Sequence, residues 1–293
     1  MGPLQAHLPL AEGARLIQAA LDRGVNFLDT AELYRTYPYI RRALQGREDG
    51  VVVATKSYAV TGPEMRKSLD LARRAMDREV VDIFLLHEQE SALTLRGHRG
   101  ALEYLLEARG RGLVRAVGVS THTVQGVEAA AEMEEIDVIH PLLNLAGIGI
   151  KGGGLDRMLA AVEGAFRRGK GIYSMKPLGG GHLGSRAEEA LAFVRDLPFV
   201  HAVAVGVRSV EELELDLAVL AGVPVTAEMR ERVKGEERWL LVEEHCTGCG
   251  ACLEACPAGA LSLEGGRIRV SQSDCLRCGY CGARCEEFCL KIV

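Results

Sequence analysis

Short apolar runs alternate with longer amphipathic stretches over the first 222 residues of the chain. The runs are rich in β-branched residues, which is typical of strands that are covered on both faces. The stretches between them repeat apolar residues every three or four positions and therefore predict helices. We identify seven runs, which read VNFLD, VVVAT, VVDIFLLH, LVRAVGVS, IDVIH, GIYSMK and VHAVAVGV.

Two α/β architectures fit this alternation, an open doubly wound sheet and a (β/α)8 barrel. An open sheet would carry a glycine-rich phosphate loop after its first strand. The one Gly-x-Gly-x-x-Gly match, at Gly179, Gly181 and Gly184, follows the sixth run, and we interpret it as a strand-to-helix loop. Polar residues cluster at the ends of the runs, which favours the barrel, because barrels carry their chemistry at that face.

The number of predicted strands is one short of a closed barrel, which needs eight. The missing strand should precede the first helix. Residues 3–10, PLQAHLPL, are a poor strand because they contain two prolines. Either these residues close the gap or the first strand is missing.

The alternation stops after Gly222, which divides the chain into three predicted segments. Residues 1–222 form the barrel. Residues 223–242 read as a polar helical linker that carries the only tryptophan, and residues 243–293 hold all nine cysteines.

The cysteines form two halves that each read Cys-x2-Cys-x2-Cys-x3-Cys. Three thiolates at this spacing can hold one face of an iron–sulfur cube, while the fourth binds the cluster of the other half. Zinc is the alternative, although zinc sites usually use two separated Cys-x2-Cys pairs. The first predicted [4Fe–4S] cluster is held by Cys246, Cys249, Cys252 and Cys285, and the second by Cys275, Cys278, Cys281 and Cys256.

This segment resembles the bacterial two-cluster ferredoxins over nearly its full length, which implies a small α+β domain. One departure is Glu286, which stands where the second half would carry proline. Cys289 is a ninth cysteine that the pattern does not assign, and it is either an inert buried thiol or a substitute ligand.

Charge and hydropathy narrow the classes of partner. The net charge is −5 with a pI near 6.0, and no basic stripe is present, so we expect no nucleic-acid partner. No apolar run is long enough to span a bilayer, and the N-terminus shows neither a signal peptide nor a myristoylation motif. We therefore expect a soluble cytoplasmic protein, in which clustered cysteines indicate metal rather than disulfides.

Reactive side chains follow three consecutive predicted strands. Asp29 ends the first and Tyr34 lies just beyond it, Lys56 ends the second, and His87 ends the third. Each alone has an ordinary structural explanation. Together they are expected to converge at one end of the barrel, where a charged side chain would contribute little to the stability of the core.

At these residues the chain resembles the aldo-keto reductases. The resemblance covers most of residues 10–222 through GVNFLDTAELY, TKS, VDIFLLH, VRAVGVST and KPLGGG. It implies a (β/α)8 barrel that binds NADP(H) without a Rossmann fold and reduces carbonyls to alcohols. The family's tetrad falls on Asp29, Tyr34, Lys56 and His87. Tyr34 would give the proton, Lys56 would lower its pKa, Asp29 would hold Lys56, and His87 would orient the carbonyl oxygen or relay the proton.

The resemblance also implies contacts to the cofactor. Ser120 would lie near the nicotinamide amide, and Leu178 and Gly179 belong to the loop beside it. Arg208 would reach the adenosine phosphate and Glu212 the adenine, although Arg208 could equally be a solvated charge at a helix start. NADP(H) is expected, and NAD(H) stays open.

The nicotinamide pocket departs from the family at three positions. Thr121 stands where many relatives have asparagine, His140 where a glutamine often contacts the amide, and Met175 where a tyrosine stacks on the ring. Methionine can cover a ring but stacks less specifically.

These features predict a two-domain redox enzyme. The barrel would move hydride between NADP(H) and a small carbonyl or alcohol substrate, and the clusters would exchange single electrons with a ferredoxin or another redox protein. Two alternatives stay open: an electron-transfer protein whose barrel is a docking or sensing platform, and a reductase with a zinc-stabilised interaction module.

Overall fold

Seven parallel strands form one sheet, in sequence order, within the part of the chain that the structure describes. The structure is a computed structural model, and it describes residues 8–47, 50–234 and 238–293. All seven predicted runs form strands, and each pairs with its neighbours in the chain. The strands are β1 (Phe27–Asp29), β2 (Val52–Ser57), β3 (Val81–Leu86), β4 (Val114–Thr121), β5 (Val138–Pro141), β6 (Gly171–Met175) and β7 (Ala202–Ala204).

Helices follow the strands and pack their apolar faces on the outside of the sheet, where the main core lies. The third helix begins with a capping box, in which Thr61 and Glu64 bond each other's backbone N–H groups. The helices are α1 (Leu10–Asp22), α2 (Tyr37–Leu44), α3 (Gly62–Met76), α4 (Ala92–Gly97), α5 (Arg99–Gly110), α6 (Val124–Ala131), α7 (Leu155–Arg167), α8 (Ala187–Arg195) and α9 (Val210–Leu220).

The sheet curls into a nearly closed barrel, which confirms the predicted architecture. The rings of Phe27 on β1 and Tyr173 on β6 meet inside it, with centroids 4.8 Å apart. No strand of the described residues bridges the seam between β1 and β7. The predicted patch at residues 3–10 lies mostly outside the described residues, and its last residue, Leu10, already begins α1.

The cysteine segment forms a small α+β module, as predicted. Its strands are β8 (Leu240–Val242), β9 (Leu261–Glu264), β10 (Arg267–Val270) and β11 (Leu290–Ile292), and α11 spans Tyr280–Ala283. Strand β8 pairs antiparallel with β11, and β9 pairs with β10. Among the described residues of the predicted linker, 223–234 and 238–242, only α10 (Ala227–Lys234) is helical. The last residues of the linker belong to the sheet of the module instead.

The module docks on the loops that follow the barrel strands. Ile292 donates its N–H to the carbonyl oxygen of Gly180 at 3.0 Å. A ring nitrogen of His182, Nε2, lies 2.8 Å from the carbonyl oxygen of Leu290. At Gly181, which has a φ of +88°, an added Cβ would lie 1.9 Å from the carbonyl oxygen of Ile292. The loop therefore needs glycine both for its backbone conformation and for the close approach of β11.

We expect Gly181→Ala to destabilise the docked module more than a matched glycine substitution does. Gly169 also has a positive φ, but nothing lies within 4 Å of an added Cβ there. Gly169→Ala should therefore cost only the strain of the left-handed conformation, about 1–2 kcal/mol. Gly181→Ala should lower the free energy of unfolding by more than this. Denaturant titration followed by Trp239 fluorescence measures both variants. Equal losses in the two variants would mean that β11 does not rest on this loop.

Candidate active site and cysteine module

An ion pair between the buried Lys56 and the partly buried Asp29 joins the ends of β1 and β2. Lys56 Nζ lies 2.8 Å from both carboxylate oxygens of Asp29 and 2.7 Å from the carbonyl oxygen of Thr30. Asp29 lies opposite Ala54 in the parallel pair, which brings Lys56 within reach. Burial raises the pKa of Asp29, but the charge and hydrogen bond of Lys56 act together with His140 and hold that pKa below its usual value.

Tyr34 and His87 complete the predicted set of four. The Tyr34 ring centroid lies 5.3 Å from Lys56 Nζ, and the His87 ring meets it edge-on at 5.8 Å. The structure thus brings Asp29, Tyr34, Lys56 and His87 into one cluster at the carboxyl ends of β1 to β3.

The acidity of Tyr34 differs from the expectation. Burial raises the pKa of Tyr34 above its usual value, and the carboxylates of Asp29, Glu88 and Glu243 act in the same direction. The expected lowering by Lys56 does not occur, because Asp29 already balances the charge of its ammonium at 2.8 Å. Tyr34 is therefore held as a neutral phenol, the form that can give a proton.

His87 is held neutral beside this phenol. It is 4% exposed, and Tyr58 stacks on its ring with centroids 4.3 Å apart. Burial lowers the pKa of His87 well below its usual value, and the charge of Lys56 adds to this effect. Within the described residues, its Nδ1 atom is buried and has no hydrogen-bond partner. A neutral imidazole carries one hydrogen-bond donor and one acceptor, which suits contact with a substrate oxygen.

Two further residues that the sequence did not single out as catalytic support Asp29 from the far side of the barrel. Tyr173 Oη donates to Asp29 Oδ1 at 3.0 Å. His140 stacks on Tyr173 at 3.8 Å, and its Nε2 lies 3.8 Å from the same oxygen. Burial lowers the pKa of His140 to about 4. Tyr173 lies in an apolar run that looked like ordinary core, so its sequence gave no signal of this role.

A second set of interacting polar side chains lies around the rim of the barrel, at the carboxyl ends of the strands. Tyr58 Oη donates to a carboxylate oxygen of Glu88 at 2.5 Å, and the other oxygen lies 3.7 Å from His122 Nε2. Lys176 Nζ lies 3.0 Å from the same His122 nitrogen. Burial lowers the pKa of Lys176 to about 8. These residues follow β2, β3, β4 and β6, the strand ends where the sequence predicts chemistry, although the sequence analysis did not single out these four side chains.

Of the predicted cofactor residues, three lie close to this rim. Ser120 is fully buried, and its Oγ accepts the backbone N–H of Glu88 at 2.9 Å. Leu178 packs against a small apolar cluster that contains Ile148, and Gly179 follows it with a φ of +57°.

The other two cofactor residues contact the C-terminal part of the chain. The guanidinium of Arg208 lies over the Trp239 ring, 5.4 Å from its centroid. Glu212 accepts a hydrogen bond from Arg238 at 2.8 Å and one from the backbone N–H of Arg208 at 2.8 Å. Arg208 is therefore packed against aromatic surface rather than solvated.

The thiols of the module lie in the two groups that the spacing predicts. One pocket is lined by Cys256, Cys275, Cys278 and Cys281, together with apolar side chains. In the other group, burial raises the pKa of Cys252 to about 11, and the nearby thiolates of Cys285, Cys246 and Cys249 act in the same direction. Sets of four thiolates are the donors that a [4Fe–4S] cluster takes, so the residues fit two such clusters.

Backbone N–H groups point at two of these sulfur atoms. Ala260 donates to Cys256 Sγ at 3.3 Å, and Cys289 donates to Cys285 Sγ at 3.4 Å. The Sγ atom of Cys289 itself lies 3.3 Å from that of Cys285 and is buried. The ninth cysteine therefore lies beside the first group of thiols.

We expect the Asp29–Lys56 pair to contribute far more to stability than its place at a strand end suggested. Lys56 is 1% exposed, so Lys56→Met would leave the largely buried Asp29 carboxylate without its opposite charge, at a cost of about 3–5 kcal/mol in the free energy of unfolding. Adding Asp29→Asn to that variant should restore much of the loss. Urea unfolding followed by circular dichroism measures both variants.

The exposed pair Arg41–Asp77 is the control, since its side chains are 56% and 69% exposed. Arg41→Met should cost less than about 1 kcal/mol. Because the pKa of Asp29 is lowered in the folded chain, its contribution is present above the unfolded pKa, 3.8, and is lost as pH falls below it. A loss in Lys56→Met no larger than in Arg41→Met would contradict this account.

Comparison with known proteins agrees with both parts of the chain. Residues 4–189 match the model of the aldo/keto reductase family, and residues 238–286 match that of a 4Fe-4S dicluster domain. A 6-dehydroglucose reductase from Novosphingobium aromaticivorans is 27% identical over 60% of this chain and 62% of its own length. An aldo-keto reductase from Mycobacterium ulcerans is 28% identical over 45% of this chain and 50% of its own length. The chain thus spans about half to three fifths of these relatives.

Solved structures share the barrel fold. An aldo-keto reductase from Bacillus halodurans, in its holo form, aligns with a TM-score of 0.62 at 18% identity over 78% of this chain and 87% of its own. One from Klebsiella pneumoniae, in complex with NADPH, aligns with a TM-score of 0.59 at 20% identity over 77% and 84%. At this identity the likeness bears on the fold alone.

No helix in the described part of the chain is both long enough and apolar enough to cross a bilayer.

Proposed function

The chain belongs to the aldo/keto reductase family, and from that premise we propose that it is an iron–sulfur oxidoreductase that interconverts a carbonyl compound and an alcohol. NADP(H) would be its hydride carrier, and two [4Fe–4S] clusters would be its single-electron carriers. The observation that carries the proposal is the meeting of Tyr34, Lys56, Asp29 and His87, with Lys56 Nζ 5.3 Å from the Tyr34 ring.

The state of Tyr34 supports proton donation in the direction of reduction. Bound NADPH would supply a hydride to a carbonyl carbon, which would leave an alkoxide on the substrate oxygen. An alkoxide is a far stronger base than a phenolate, so Tyr34 can protonate it although burial raises its pKa. His87, held neutral beside Tyr34 with its ring centroid at 5.8 Å, would orient the substrate oxygen.

We propose that the dinucleotide uses the residues that the family resemblance implies. Ser120 would lie by the nicotinamide, Leu178 and Gly179 along the loop, and Arg208 and Glu212 at the adenosine end. Arg208 supports NADP(H) over NAD(H), because a guanidinium suits a phosphate. Both Arg208 and Glu212 would have to leave their present partners to do so.

The cysteine module would exchange electrons with an external redox protein such as a ferredoxin. Cys278, in the second group of thiols, is exposed. Leu276 and Tyr280 beside it are 67% and 63% exposed. An apolar, exposed surface next to a cluster supports transient docking of a one-electron carrier. Clusters of this kind favour a reducing compartment, and we therefore place the protein in the cytoplasm.

One observation favours a second candidate function. The module covers Arg208 and Glu212, which suits an electron-transfer protein whose barrel is a docking or sensing platform. In that case the cluster of four side chains would have little or no reductase activity.

We expect Tyr34→Phe to lower carbonyl reduction by about 100-fold or more, because general acid catalysis contributes that much. The measurement uses anaerobically reconstituted protein, NADPH and a panel of aldehydes and ketones. Tyr39→Phe is the matched control, since Tyr39 Oη donates to the carbonyl oxygen of Leu8, away from the site. If the unsubstituted protein reduces no carbonyl yet exchanges electrons with a ferredoxin, the second candidate is correct.

A further inference from the structure

Every predicted cofactor contact at the adenosine end, and the glycine loop beside the nicotinamide end, touches the C-terminal module. We infer that this face of the barrel is the docking surface for the module, so that the docked module and a bound dinucleotide exclude each other. The inference rests on the proposed dinucleotide site. It makes the module a competitor for that site as well as an electron carrier.

At the glycine loop, the module covers the residues next to the predicted contacts Leu178 and Gly179. Strand β11 hydrogen-bonds the loop directly, from Ile292 to Gly180 at 3.0 Å. An added Cβ on Gly180 would lie 2.9 Å from Lys291 and 3.0 Å from Phe288. At Gly181 an added Cβ would lie 1.9 Å from the carbonyl oxygen of Ile292, so the backbone of β11 itself rests on the loop and would have to move before a dinucleotide could lie there.

At the adenosine end, side chains next to β8 bind the two polar residues, Arg208 and Glu212, that would recognise the dinucleotide. The Trp239 ring covers the Arg208 guanidinium, whose Nη1 atom is buried without a hydrogen-bond partner within the described residues. Arg238 forms an ion pair with Glu212 at 2.8 Å. Two groups that would recognise a dinucleotide are thus occupied by side chains just ahead of β8.

The contacts at the glycine loop and those at the adenosine end are made by one connected part of the fold. The backbone of Trp239 exchanges two hydrogen bonds with Val293, at 2.9 and 3.0 Å. The neighbouring β8 pairs with β11 along its length. Release of the loop by β11 would therefore also lift Trp239 from Arg208, and the whole face would open together.

The docked module also faces the cluster of four side chains. Glu243, which follows β8, is one of the carboxylates that raise the pKa of Tyr34. Phe288 fills the space beside the rim, with Lys176 Nζ 4.5 Å from its ring centroid and the His122 ring at 6.2 Å. When the module is docked, its Glu243 and Phe288 thus lie beside the site.

The docking depends in part on side-chain contacts that single substitutions can weaken. The ion pair between Lys151 and Glu287 is 32% and 50% exposed, so it contributes less than about 1 kcal/mol. Phe288 packs with barrel residues Ile148 and Leu183 rather than with the core of the module. Dinucleotide affinity is then reduced by the fraction of undocked protein, and weaker docking should raise it.

The test measures NADPH binding by calorimetry on the anaerobic, cluster-loaded full chain. Arg238→Ala/Trp239→Ala/Phe288→Ala removes three docking side chains and leaves Leu178, Gly179, Arg208 and Glu212 in place. We expect its Kd for NADPH to be at least tenfold lower than that of the unsubstituted protein. Removing Arg238 also removes a positive charge near the site, which by itself would weaken the binding of anionic NADPH. The change in charge therefore does not account for the tighter binding that we expect.

The control is Leu263→Ala/Arg269→Ala, which removes exposed side chains from the β9–β10 hairpin of the same module. It should bind NADPH as the unsubstituted protein does. Iron and sulfide content shows that the module is loaded in each variant. In Phe288→Ala alone, added NADPH should change the emission of Trp239, the only tryptophan, as its ring leaves Arg208.

Equal affinity in the unsubstituted and triply substituted proteins would overturn the inference, and so would the absence of NADPH binding in both. Tighter binding in the triple variant supports it even if no carbonyl is reduced. In that last case the exclusion holds while the proposed reductase activity fails, so the two failures are distinguishable.

Discussion

The buried pair of Asp29 and Lys56 is the interaction on which the site depends. Lys56 has almost no exposed surface, and its ammonium is saturated by three oxygens within 2.8 Å. A charge in such a place is tolerated only with close partners. This requirement fixes how the ends of β1 and β2 meet. Tyr173 then reaches the same carboxylate from β6, so the pair also ties opposite sides of the barrel together.

The pair also sets the chemistry of the pocket. Because Asp29 balances Lys56 internally, little positive charge is left to ionise Tyr34, and burial keeps the phenol neutral. His87 and His140 are neutral for the same reason, since burial lowers the pKa of both. The resulting site holds a proton on Tyr34 until negative charge develops next to it. This property suits reduction of a carbonyl. Proton transfer from Tyr34 then depends on the electron donor, because negative charge develops on the substrate only when electrons are delivered to it.

Local pattern was enough to predict the strands, because each buried strand is apolar over its own length. It also placed Asp29, Lys56 and His87, since strand ends in a barrel share one face. It was not enough for interactions between distant parts of the chain. The partner of Arg208 is Trp239, in a segment predicted to be a linker, and no periodicity reports such a contact. The pKa of Tyr34 depends on Glu243 and on burial, neither of which is visible beside Tyr34 in the sequence.

The most direct test of this account is the ionisation of Tyr34 in the unsubstituted protein. Carbon-13 at the ζ position of tyrosine gives a resonance that shifts when the phenol ionises, and Tyr34→Phe identifies the one that belongs to Tyr34. With oxidised clusters, we predict that this resonance keeps its phenol position up to about pH 10, the usual tyrosine pKa. In Asp29→Asn, where the Lys56 charge is no longer balanced, it should shift at lower pH. Ionisation of Tyr34 near neutral pH in the unsubstituted protein would contradict the account.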